Sequence, residues 1–549
     1  MKLKTLPVTL LLVFSTSCSQ EDPGGQPAVA SESESQIVSL EIQVSGGLIR
    51  GVVDGQGADG VKQYHGIPYA APPVGDLRWA PPAPVIPWDG ARDAGEPGPI
   101  CIQWKRSGLA FYDAPPGAQL PQQNEDCLTL NVWTKAIRSD ERRPVMVWIH
   151  GGGLEAGWGA KSAGPLLAEK GAVHVSINYR LGRFGFLAHP ELSAENPRGV
   201  SGNQGFRDQI QALKWVRDNI SKFGGDPNNV TIFGESAGAT SVSVMQVSPL
   251  ARGLFHRVIG QSGGAFQPMQ HRTRDQTFIP SGESIGLQFG AALVSGKADQ
   301  SLAALRNVSA QKVFQVSEPH PAFLATVDGE VLVEDVGTTF ANGNQADVPV
   351  LVGSTSDEGI ALLEHFMGLM GTGVKGFNRF GAAMLPEVRD EIPTYYPATT
   401  DEEAIPSWLA MFSDLTFTYP MRAWARSMDG TNSNAYLYWF TWPVPLVDGK
   451  NYGAFHGASQ IYVHGDFDLM HEVRPTDADI EFSDFIAETW VRFARTGNPN
   501  GGSLPEWPAF TAENEAYMEL GPTLRIGDQL RIQQLELVEK AWAIRRASN

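Results

Sequence analysis

The sequence has few cysteines, only three in 549 residues, and fewer basic than acidic side chains, 42 against 60, which gives a formal net charge of −18. Lysine and arginine form no cluster beyond short pairs such as Arg142 and Arg143, so no electrostatic footprint for nucleic acid or anionic lipid is present. After the first twenty residues no apolar run reaches about 18 residues, so no transmembrane helix is predicted there. The hydrophobic fraction, 42%, is that of an ordinary globular protein with a large core.

The N-terminal segment is typical of an export signal. Lysines at positions 2 and 4 precede an apolar stretch over residues 6–14, and small residues then lead to Cys18. We expect residues 1–18 to be a signal peptide, 19–38 a flexible linker rich in Ser, Glu, Gly and Pro, and 39–549 a single domain. The protein is then periplasmic, extracellular or held at the cell envelope.

Cys18 also resembles the cysteine of a bacterial lipoprotein cleavage box, although Ser15 stands where such boxes usually have leucine. Lipidation of Cys18, which would anchor the chain to a membrane, and export without a lipid therefore both stay open. Removal of Cys18 leaves Cys101 and Cys127, and an even pair in an exported chain predicts a disulfide. The alternative is two buried free thiols.

From residue 127 onward, short β-type runs alternate with helical ones, which predicts the α/β class with a mainly parallel sheet covered by helices on both faces. Leu128, Leu130 and Val132 alternate as in a half-buried strand. Further strands are expected at 145–149, 173–177, 229–233, 257–259, 348–352 and 436–440. Helices are expected at 206–220, after Ala237, over 482–496 and from Asp528 onward. The stretches 265–347 and 360–434 are interpreted as insertions that shape a substrate pocket at the carboxyl rim of the sheet.

A nucleophile motif occurs at 234–238, where Gly-Glu-Ser-Ala-Gly matches the G-x-S-x-G elbow. A similar Gly-Gln-Ser-Gly-Gly occurs at 260–264. The elbow requires a strand before the serine and a helix directly after it. Ser236 has both, whereas the glycines and Pro268 that follow Ser262 do not allow a helix to begin. Ser236 is the expected nucleophile, and Ser262 is expected to pack beneath the site or support it.

A serine nucleophile needs a histidine base and a carboxylate that orients the imidazole, in the chain order Ser, acid, His. His456, in a glycine-flanked loop after a predicted strand, and His464, eight residues later, are both candidates for the base. Asp357 and Glu358 both follow a predicted strand, and either could instead cap the next helix. The residues alone leave both choices open.

The His-Gly-Gly-Gly run at 150–153 directly follows a predicted strand. Consecutive glycines allow backbone N–H groups to converge on an oxyanion. An alternative interpretation is a dinucleotide-binding fingerprint over Gly151, Gly153 and Ala156, which requires a helix at this point. Residues 157–159, Gly-Trp-Gly, oppose such a helix.

Longer matches accompany these motifs. They lie at 66–70, 77–79, 125–132, 178–182, 223–238 and 496–500. With these segments the chain resembles the type B carboxylesterase/lipase family, which includes the cholinesterases, over residues 40–520. The resemblance implies an α/β-hydrolase fold with Ser236 as nucleophile. It also implies Glu358 rather than Asp357 as the acid, and His456 rather than His464 as the base.

The resemblance assigns further positions. It places the backbone donors to the oxyanion at Gly152, Gly153 and Ala237. It implies the bridge between Cys101 and Cys127, and it makes Glu235 and Ser262 buried structural partners of the site. The chain departs from the family pattern at Thr355, usually Asn, and at Ser459, usually acidic, which affects the expected substrate preference and loop geometry more than activity.

The expected function is therefore an exported serine esterase that hydrolyses small carboxylic esters without a metal or cofactor. A non-catalytic binding or adhesion module on the same fold, and an amidase or thioesterase with the same residues, are the alternatives. Short to medium acyl esters, some with an aromatic part, are the default substrates. Aromatic and methionine side chains that could line the pocket are Trp104, Phe111, Tyr112, Phe366, Met367, Met370, Trp408, Met411 and Phe412. Oligomeric state cannot be inferred from the sequence.

Overall fold

In the part of the chain that the computed structural model describes, a β-sheet of 13 strands forms the centre. The structure describes residues 40–54, 60–103, 121–161, 163–276, 279–295, 301–316, 325–360, 362, 367–368, 370–447, 449, 451–469 and 473–548. The strands in chain order are β1 (Leu40–Val44), β2 (Gly47–Asp54), β3 (Val61–Pro68), β4 (Ala91–Asp93), β5 (Thr129–Thr134), β6 (Arg143–Ile149), β7 (Val173–Ile177), β8 (Gly225–Glu235), β9 (Arg257–Gln261), β10 (Gln270–His271), β11 (Thr326–Val327), β12 (Val350–Thr355), β13 (Ala435–Phe440), β14 (Tyr517–Leu520) and β15 (Arg525–Gly527).

Helices cover the sheet and form the insertions. They are α1 (Leu166–Glu169), α2 (Gly182–Gly185), α3 (Pro190–Glu195), α4 (Gln204–Asn219), α5 (Ala237–Val247), α6 (Gly282–Leu293), α7 (Leu302–Arg306), α8 (Ala310–Gln315), α9 (Val336–Ala341), α10 (Gly373–Met384), α11 (Ile392–Tyr395), α12 (Asp401–Ser413), α13 (Tyr419–Ser427), α14 (Ala458–His464), α15 (Asp477–Thr496) and α16 (Ile532–Ser548). Within the described residues, no helix is both long and apolar enough to cross a membrane.

The order of the strands is β1-β2-β3-β5-β7-β6-β8-β9-β12-β13-β14-β15, with β4 beside β2 and with β10 and β11 in a separate pair. From β7 to β14 all neighbours are parallel, and the flanking strands β1, β2, β3, β5 and β15 pair antiparallel. The prediction of a mainly parallel sheet is thus confirmed for the central strands. The N-terminal antiparallel strands were not predicted.

Both faces of the central strands are buried. In β6, Val145, Val147 and Ile149 belong to one hydrophobic cluster, while Met146 and Trp148 belong to a second cluster on the opposite face. A strand with no solvent-facing side favours the continuous apolar run that the sequence shows here. The carboxyl ends of these parallel strands all lie at one edge of the sheet, which is where the insertions follow.

The prediction of a half-buried strand at Leu128, Leu130 and Val132 was wrong. Strand β5 is buried along its whole length, because its polar face is covered by protein as well. On that face Asn131 donates from Nδ2 to Ser176 Oγ at 3.0 Å, and the Trp133 ring stacks on a neighbouring histidine. Internal hydrogen bonds offset the free-energy cost of burying such polar residues.

The predicted disulfide joins Cys101 to Cys127, with 5.1 Å between their Cα atoms. Of the side chains named as pocket candidates, Trp104, Phe111, Tyr112 and Phe366 lie outside the described residues, as does Cys18. Met367 and Met370 are partly exposed, whereas three others lie within the core of the insertions. These three are Trp408, Met411 and Phe412.

A pair of buried histidines packs against the second cluster. The ring of His174 stacks on that of His464 with 5.4 Å between centroids, and His464 meets Trp148 edge-on at 4.6 Å. Burial lowers the pKa of His174 to about 4, and burial together with His174 lowers the pKa of His464 well below its ordinary value of 6.5. Both rings are therefore neutral in the folded protein at neutral pH.

We expect this pair to make the fold acid-sensitive. In the unfolded chain both rings titrate near 6.5, while folded His174 titrates at about 4. Between these pH values the unfolded chain binds more protons, so the free energy of unfolding falls as the pH falls, by about 1.4 kcal/mol per pH unit for each histidine. Urea denaturation between about pH 7 and about pH 4.5 measures this slope. The variant His464→Phe should flatten it, and an unchanged slope contradicts the assignment.

Candidate active site

Ser236 lies at a sharp turn between β8 and α5. Its backbone adopts φ 57° and ψ −122°, a conformation that is strained for an L residue. The Ser236 N–H donates to the carbonyl oxygen of Gln261 at 2.8 Å, and the residue stays partly exposed while Glu235 and Ala237 on either side are buried. Ser236 thus stands at the carboxyl edge of the parallel strands, where α/β sheets bind ligands.

Glycines on either side of Ser236 permit this turn. A Cβ at Gly238 would overlap the carbonyl oxygen of Ile149, and one at Gly234 would lie 2.5 Å from the carbonyl carbon of Gly238. Residue 263 is also glycine, since a Cβ there would overlap the carbonyl oxygen of Ser236. The G-x-S-x-G pattern is therefore explained by the close packing of β6, β8 and α5.

His456 and Glu358 lie together beside this turn. His456 Nδ1 donates to Glu358 Oε2 at 2.5 Å, and the other carboxylate oxygen accepts the N–H of Thr355 at 2.8 Å. The two side chains are nearly inaccessible, with 5% of His456 and 0% of Glu358 exposed. With the proton of the neutral imidazole held on Nδ1, Nε2 is left as the proton acceptor.

Asp357 joins the loop that carries Glu358 to the loop that carries His456. Its N–H donates to the carbonyl oxygen of Ala454, and its Oδ2 accepts the N–H of Ala454, each at 3.0 Å. Asp357 also forms an isolated parallel bridge with Phe455, the residue before His456. The two adjacent acids therefore have different contacts: Asp357 fixes the loops, and Glu358 contacts the imidazole.

The competing candidates lie elsewhere. His464 is at the C-terminal end of α14, where it packs against Trp148 of the second cluster. Ser262 is fully buried, with φ 50°, and its N–H donates to the carbonyl oxygen of Gly353 at 2.8 Å. No helix follows it, as expected, and the turn it forms packs beneath Ser236.

The His-Gly-Gly-Gly run begins next to the nucleophile turn, since Ile149 of β6 pairs with Gly234 of β8. Gly152 and Gly153 adopt φ 102° and φ 67°, and the carbonyl of Gly152 accepts the N–H groups of Glu155 and Ala156. These residues form turns rather than a helix, so the dinucleotide-binding interpretation is wrong. The oxyanion candidates Gly152 and Gly153 thus lie in the loop after β6, and Ala237 is the first residue of α5, directly after Ser236.

Glu235 approaches the other nitrogen of His456. Its Oε1 lies 3.2 Å from His456 Nε2, so the imidazole stands between two carboxylates. Burial raises the pKa of Glu235 to about 7, with the nearby His456 opposing the shift and Glu358 adding to it. Burial lowers the pKa of His456, but Glu235 and Glu358 together outweigh burial and raise it above 6.5.

Two contacts of His456 could not be read from the sequence. Glu235 was expected only as a buried partner, and the resemblance gave no contact with Nε2. Phe417 packs against the imidazole at 4.3 Å between ring centroids, and no sequence signal marked it. Of the two departures from the family pattern, Thr355 donates its N–H to Glu358, and Ser459 is fully buried, with its Oγ accepting a hydrogen bond from a glutamine on β9.

Comparisons with known proteins identify the family. The sequence profile described as "Carboxylesterase family" matches residues 38–538. Para-nitrobenzyl esterase of Bacillus subtilis is 35% identical over 492 residues, which cover 87% of this chain and 94% of that protein. Fumonisin B1 esterase of Sphingopyxis macrogoltabida is 34% identical over 497 residues, covering 88% and 87%.

Solved structures give the same result. A structure titled PNB esterase superposes with a TM-score of 0.74 at 30% identity, and one titled thermophilic PNB esterase with 0.77 at 29%. Each covers 91% of this chain and 99% of its own. The fold is therefore the α/β-hydrolase fold, the protein is a carboxylic ester hydrolase, and the chain belongs to the carboxylesterase family.

Proposed function

We propose that the protein is an exported serine carboxylesterase with the triad Ser236, His456 and Glu358. The observation that carries this assignment is the 2.5 Å hydrogen bond from His456 Nδ1 to a fully buried Glu358 beside the strained turn at Ser236. Small carboxylic esters of short to medium acyl length are the substrates, and the aromatic side chain of Phe417 beside the base supports an apolar or aromatic part in the ester.

The reaction runs in two halves. His456 Nε2 removes the hydroxyl proton of Ser236 while its Oγ bonds to the ester carbonyl carbon, and the tetrahedral intermediate collapses as the imidazolium protonates the leaving alcohol. A water molecule then attacks the acyl-enzyme with His456 again as base, and the carboxylic acid leaves as Ser236 recovers its proton. Glu358 orients the imidazole and stabilises its cation in both halves.

The oxyanion of each tetrahedral intermediate accepts hydrogen bonds from the N–H groups of Gly152, Gly153 and Ala237. Both glycines have positive φ angles, which side chains would disfavour, and Ala237 contributes the first N–H of α5. The loop is held from below by Tyr179, whose hydroxyl donates to the carbonyl oxygen of His150 at 2.8 Å.

A fluorophosphonate probe tests the assignment of the nucleophile. We expect one adduct in the intact mass, located on Ser236 by peptide mapping, together with hydrolysis of p-nitrophenyl esters at a higher rate than matched anilides. An adduct on Ser262 would overturn the elbow. A folded protein that takes no label, beside a reference esterase that does, favours the non-catalytic binding module, and faster hydrolysis of anilides favours an amidase.

The pH dependence tests the base. Because His456 must be neutral to accept a proton, and because Glu235 and Glu358 raise its pKa above 6.5, the acid limb of kcat/KM should have its midpoint above this value. Glu235→Gln removes one of the two charges and should move the midpoint to lower pH. A midpoint that does not move in the variant would show that Glu235 does not act on the base.

Gly238→Ala tests the packing that holds Ser236. The added Cβ overlaps the carbonyl of Ile149, so α5 must move, and a displacement of about 1 Å at the nucleophile costs about 100-fold in kcat/KM. We also expect a loss of about 1–3 kcal/mol in the free energy of unfolding. The matched control is Gly164→Ala, where nothing lies within 4 Å of the added Cβ, and an equal loss in that variant contradicts the explanation.

Export is proposed from the N-terminal sequence and is supported by the disulfide between Cys101 and Cys127, since such bonds persist in oxidising compartments. The mass of the full chain after expression with its own N terminus in a bacterial host tests it. A mass that lacks residues 1–17 and carries acyl chains on Cys18 indicates a lipoprotein, loss of residues 1–18 without acyl chains indicates a cleaved signal peptide, and an intact N terminus contradicts export.

A further inference from the structure

The His456 ring lies against Phe417. The ring centroids are 4.3 Å apart with an angle of 32° between the planes, and only 5% of Phe417 is exposed. Phe417 packs in turn against Phe412, with 6.0 Å between centroids. The imidazole therefore has a carboxylate at each nitrogen and an aromatic wall on one face.

Phe417 belongs to a short π-helix, Asp414–Thr418, that connects α12 to α13. A π-helical turn inserts an extra residue into a helix and is often found at functional sites. Here the turn sits on the insertion that covers the carboxyl rim of the sheet. The wider turn places an aromatic side chain of the insertion against His456, which lies in the loop after β13.

An ion pair between buried Asp414 and Arg531, whose side chain is 31% exposed, holds this π turn. Asp414 is 0% exposed, and its two carboxylate oxygens accept hydrogen bonds from Arg531 Nε and Nη2, each at 2.6 Å. The hydroxyl of Tyr396 donates to the same carboxylate at 2.8 Å. Paired hydrogen bonds of this kind fix orientation as well as charge, because the planar guanidinium matches the carboxylate.

The backbone around Arg531 is strained. Arg531 and Gln529 have φ 49° and φ 51°, which L residues rarely adopt, directly before α16. The strain is held by main-chain bonds, since the N–H of Gln529 donates to the carbonyl of Glu515 and the carbonyl of Arg531 accepts the N–H of Leu535. Such strain persists only where the surrounding structure fixes the backbone. Here the strained backbone places the guanidinium of Arg531 next to Asp414 in the π turn.

An aromatic wall has two effects on a catalytic imidazole. The hydrogen bond to Glu358 fixes one axis of the ring but leaves rotation about that axis, and a flat neighbour restricts it. When the ring becomes an imidazolium in the tetrahedral intermediate, the face of Phe417 also attracts the cation. Charged groups face His456 at both ring nitrogens, Glu358 at Nδ1 and Glu235 at Nε2.

We propose that Phe417 is a positioning residue for His456, and that Arg531 acts through Asp414 to hold the π turn that carries Phe417. The proposal rests on the proposed function, because it takes His456 as the base. It makes the C-terminal segment before α16 part of the machinery that orients the imidazole. The leaving group and the acyl chain need not contact Arg531 for this effect.

The test compares Phe417→Leu, Phe417→Tyr, Arg531→Met and the double variant of Phe417→Leu with Arg531→Met. We expect Phe417→Leu to lower kcat about 10-fold with little change in KM, and to move the acid limb of kcat/KM to lower pH. Phe417→Tyr keeps the aromatic face and should retain kcat within about 3-fold. Arg531→Met should lower kcat about 5-fold, and the double variant should be no slower than Phe417→Leu alone, because the two residues act in series.

The matched control is Arg545→Met. Arg545 lies on α16 itself, and its guanidinium donates to Glu387 and to the carbonyl oxygen of Met384, with 14% of the Arg545 side chain and 11% of the Glu387 side chain exposed. The proposal is supported if kcat is unchanged in this control while kcat falls in Phe417→Leu and Arg531→Met as stated above. A loss of thermal stability in Phe417→Leu with unchanged kcat and unchanged acid limb shows a packing role only and overturns it.

Additive losses in the double variant overturn the link through Asp414. If Phe417→Leu does not fold, Arg531→Met and Phe417→Tyr test the proposal instead. An Arg531→Met variant whose kcat and acid limb equal those of the wild type contradicts the proposal. His456→Ala separates this inference from the proposed function. If that variant keeps full activity, the assignment of the base has failed. If it is inactive while the variants at positions 417 and 531 match wild type, only the inference has failed.

Discussion

Replacement of Ser236 by alanine should lower kcat for ester hydrolysis by about 10⁶-fold. The variant removes the atom that bonds to the acyl carbon, so no acyl-enzyme forms, and only binding and oxyanion stabilisation remain. These leave about 10³- to 10⁴-fold catalysis over the uncatalysed reaction. The side chain change is small and Ser236 is partly exposed, so the fold should persist. Steady-state kinetics with a chromogenic ester, together with loss of the fluorophosphonate adduct, measure the effect.

Ser262→Ala is the matched control for this replacement. Both serines lie in a Gly-x-Ser-x-Gly pattern after a strand and both have positive φ, 57° for Ser236 and 50° for Ser262. Ser262 is fully buried beneath the turn, so its loss should reduce kcat by less than about 10-fold, through small shifts of the packing. A Ser236→Ala protein that keeps more than about 1% of wild-type kcat would contradict the nucleophile assignment.

The central sheet could be predicted because burial on both faces leaves a direct mark on the sequence. Residues 145–149 are apolar without interruption, and β6 is buried on both sides. Strand β5 was misjudged because Asn131 and Thr129 are polar yet buried, and the contacts that satisfy them come from β7 and the loop after it. Burial by a partner distant in sequence cannot be read from a local pattern of alternation.

The antiparallel strands before residue 127 escaped prediction for a related reason. Strand β2 has buried residues at alternate positions, but glycine occupies two of these, and its outward side includes Arg50 and Asp54. Glycine is depleted in strands, so the segment carries little strand signal by itself. Its place in the sheet depends on pairing with β1 and β3, which sequence spacing does not reveal.

The candidate site could be predicted where a motif fixes local backbone, and only in part where it depends on packing. The turn at Ser236 follows from glycines at positions where any side chain would overlap neighbouring backbone atoms. The choice between His456 and His464 was open from the residues and was made by resemblance alone, since both follow the same strand. Contacts separate them, because one meets Glu358 and the other is enclosed by Trp148 and His174.

Glu358→Gln should lower kcat by about 10⁴-fold with the fold intact. The carboxylate accepts a hydrogen bond from His456 Nδ1–H at 2.5 Å, and an amide in the same place can present its NH₂ group instead. The imidazole then changes tautomer, with its proton on Nε2, where it can no longer accept the proton of Ser236. The oxygen of the glutamine can still accept the N–H of Thr355, so the loop should keep its shape.

Asp357→Asn is the control for this change, because the two acids are adjacent and the sequence alone did not choose between them. Asp357 Oδ2 accepts the N–H of Ala454, and the oxygen of asparagine can replace it, so the loops stay joined and kcat should fall by less than about 10-fold. The two variants are compared by kcat, by thermal midpoint and by the rate of fluorophosphonate labelling. If Asp357→Asn were the inactive protein and Glu358→Gln the active one, the acid would be reassigned to Asp357, and the 2.5 Å contact of Glu358 would be structural.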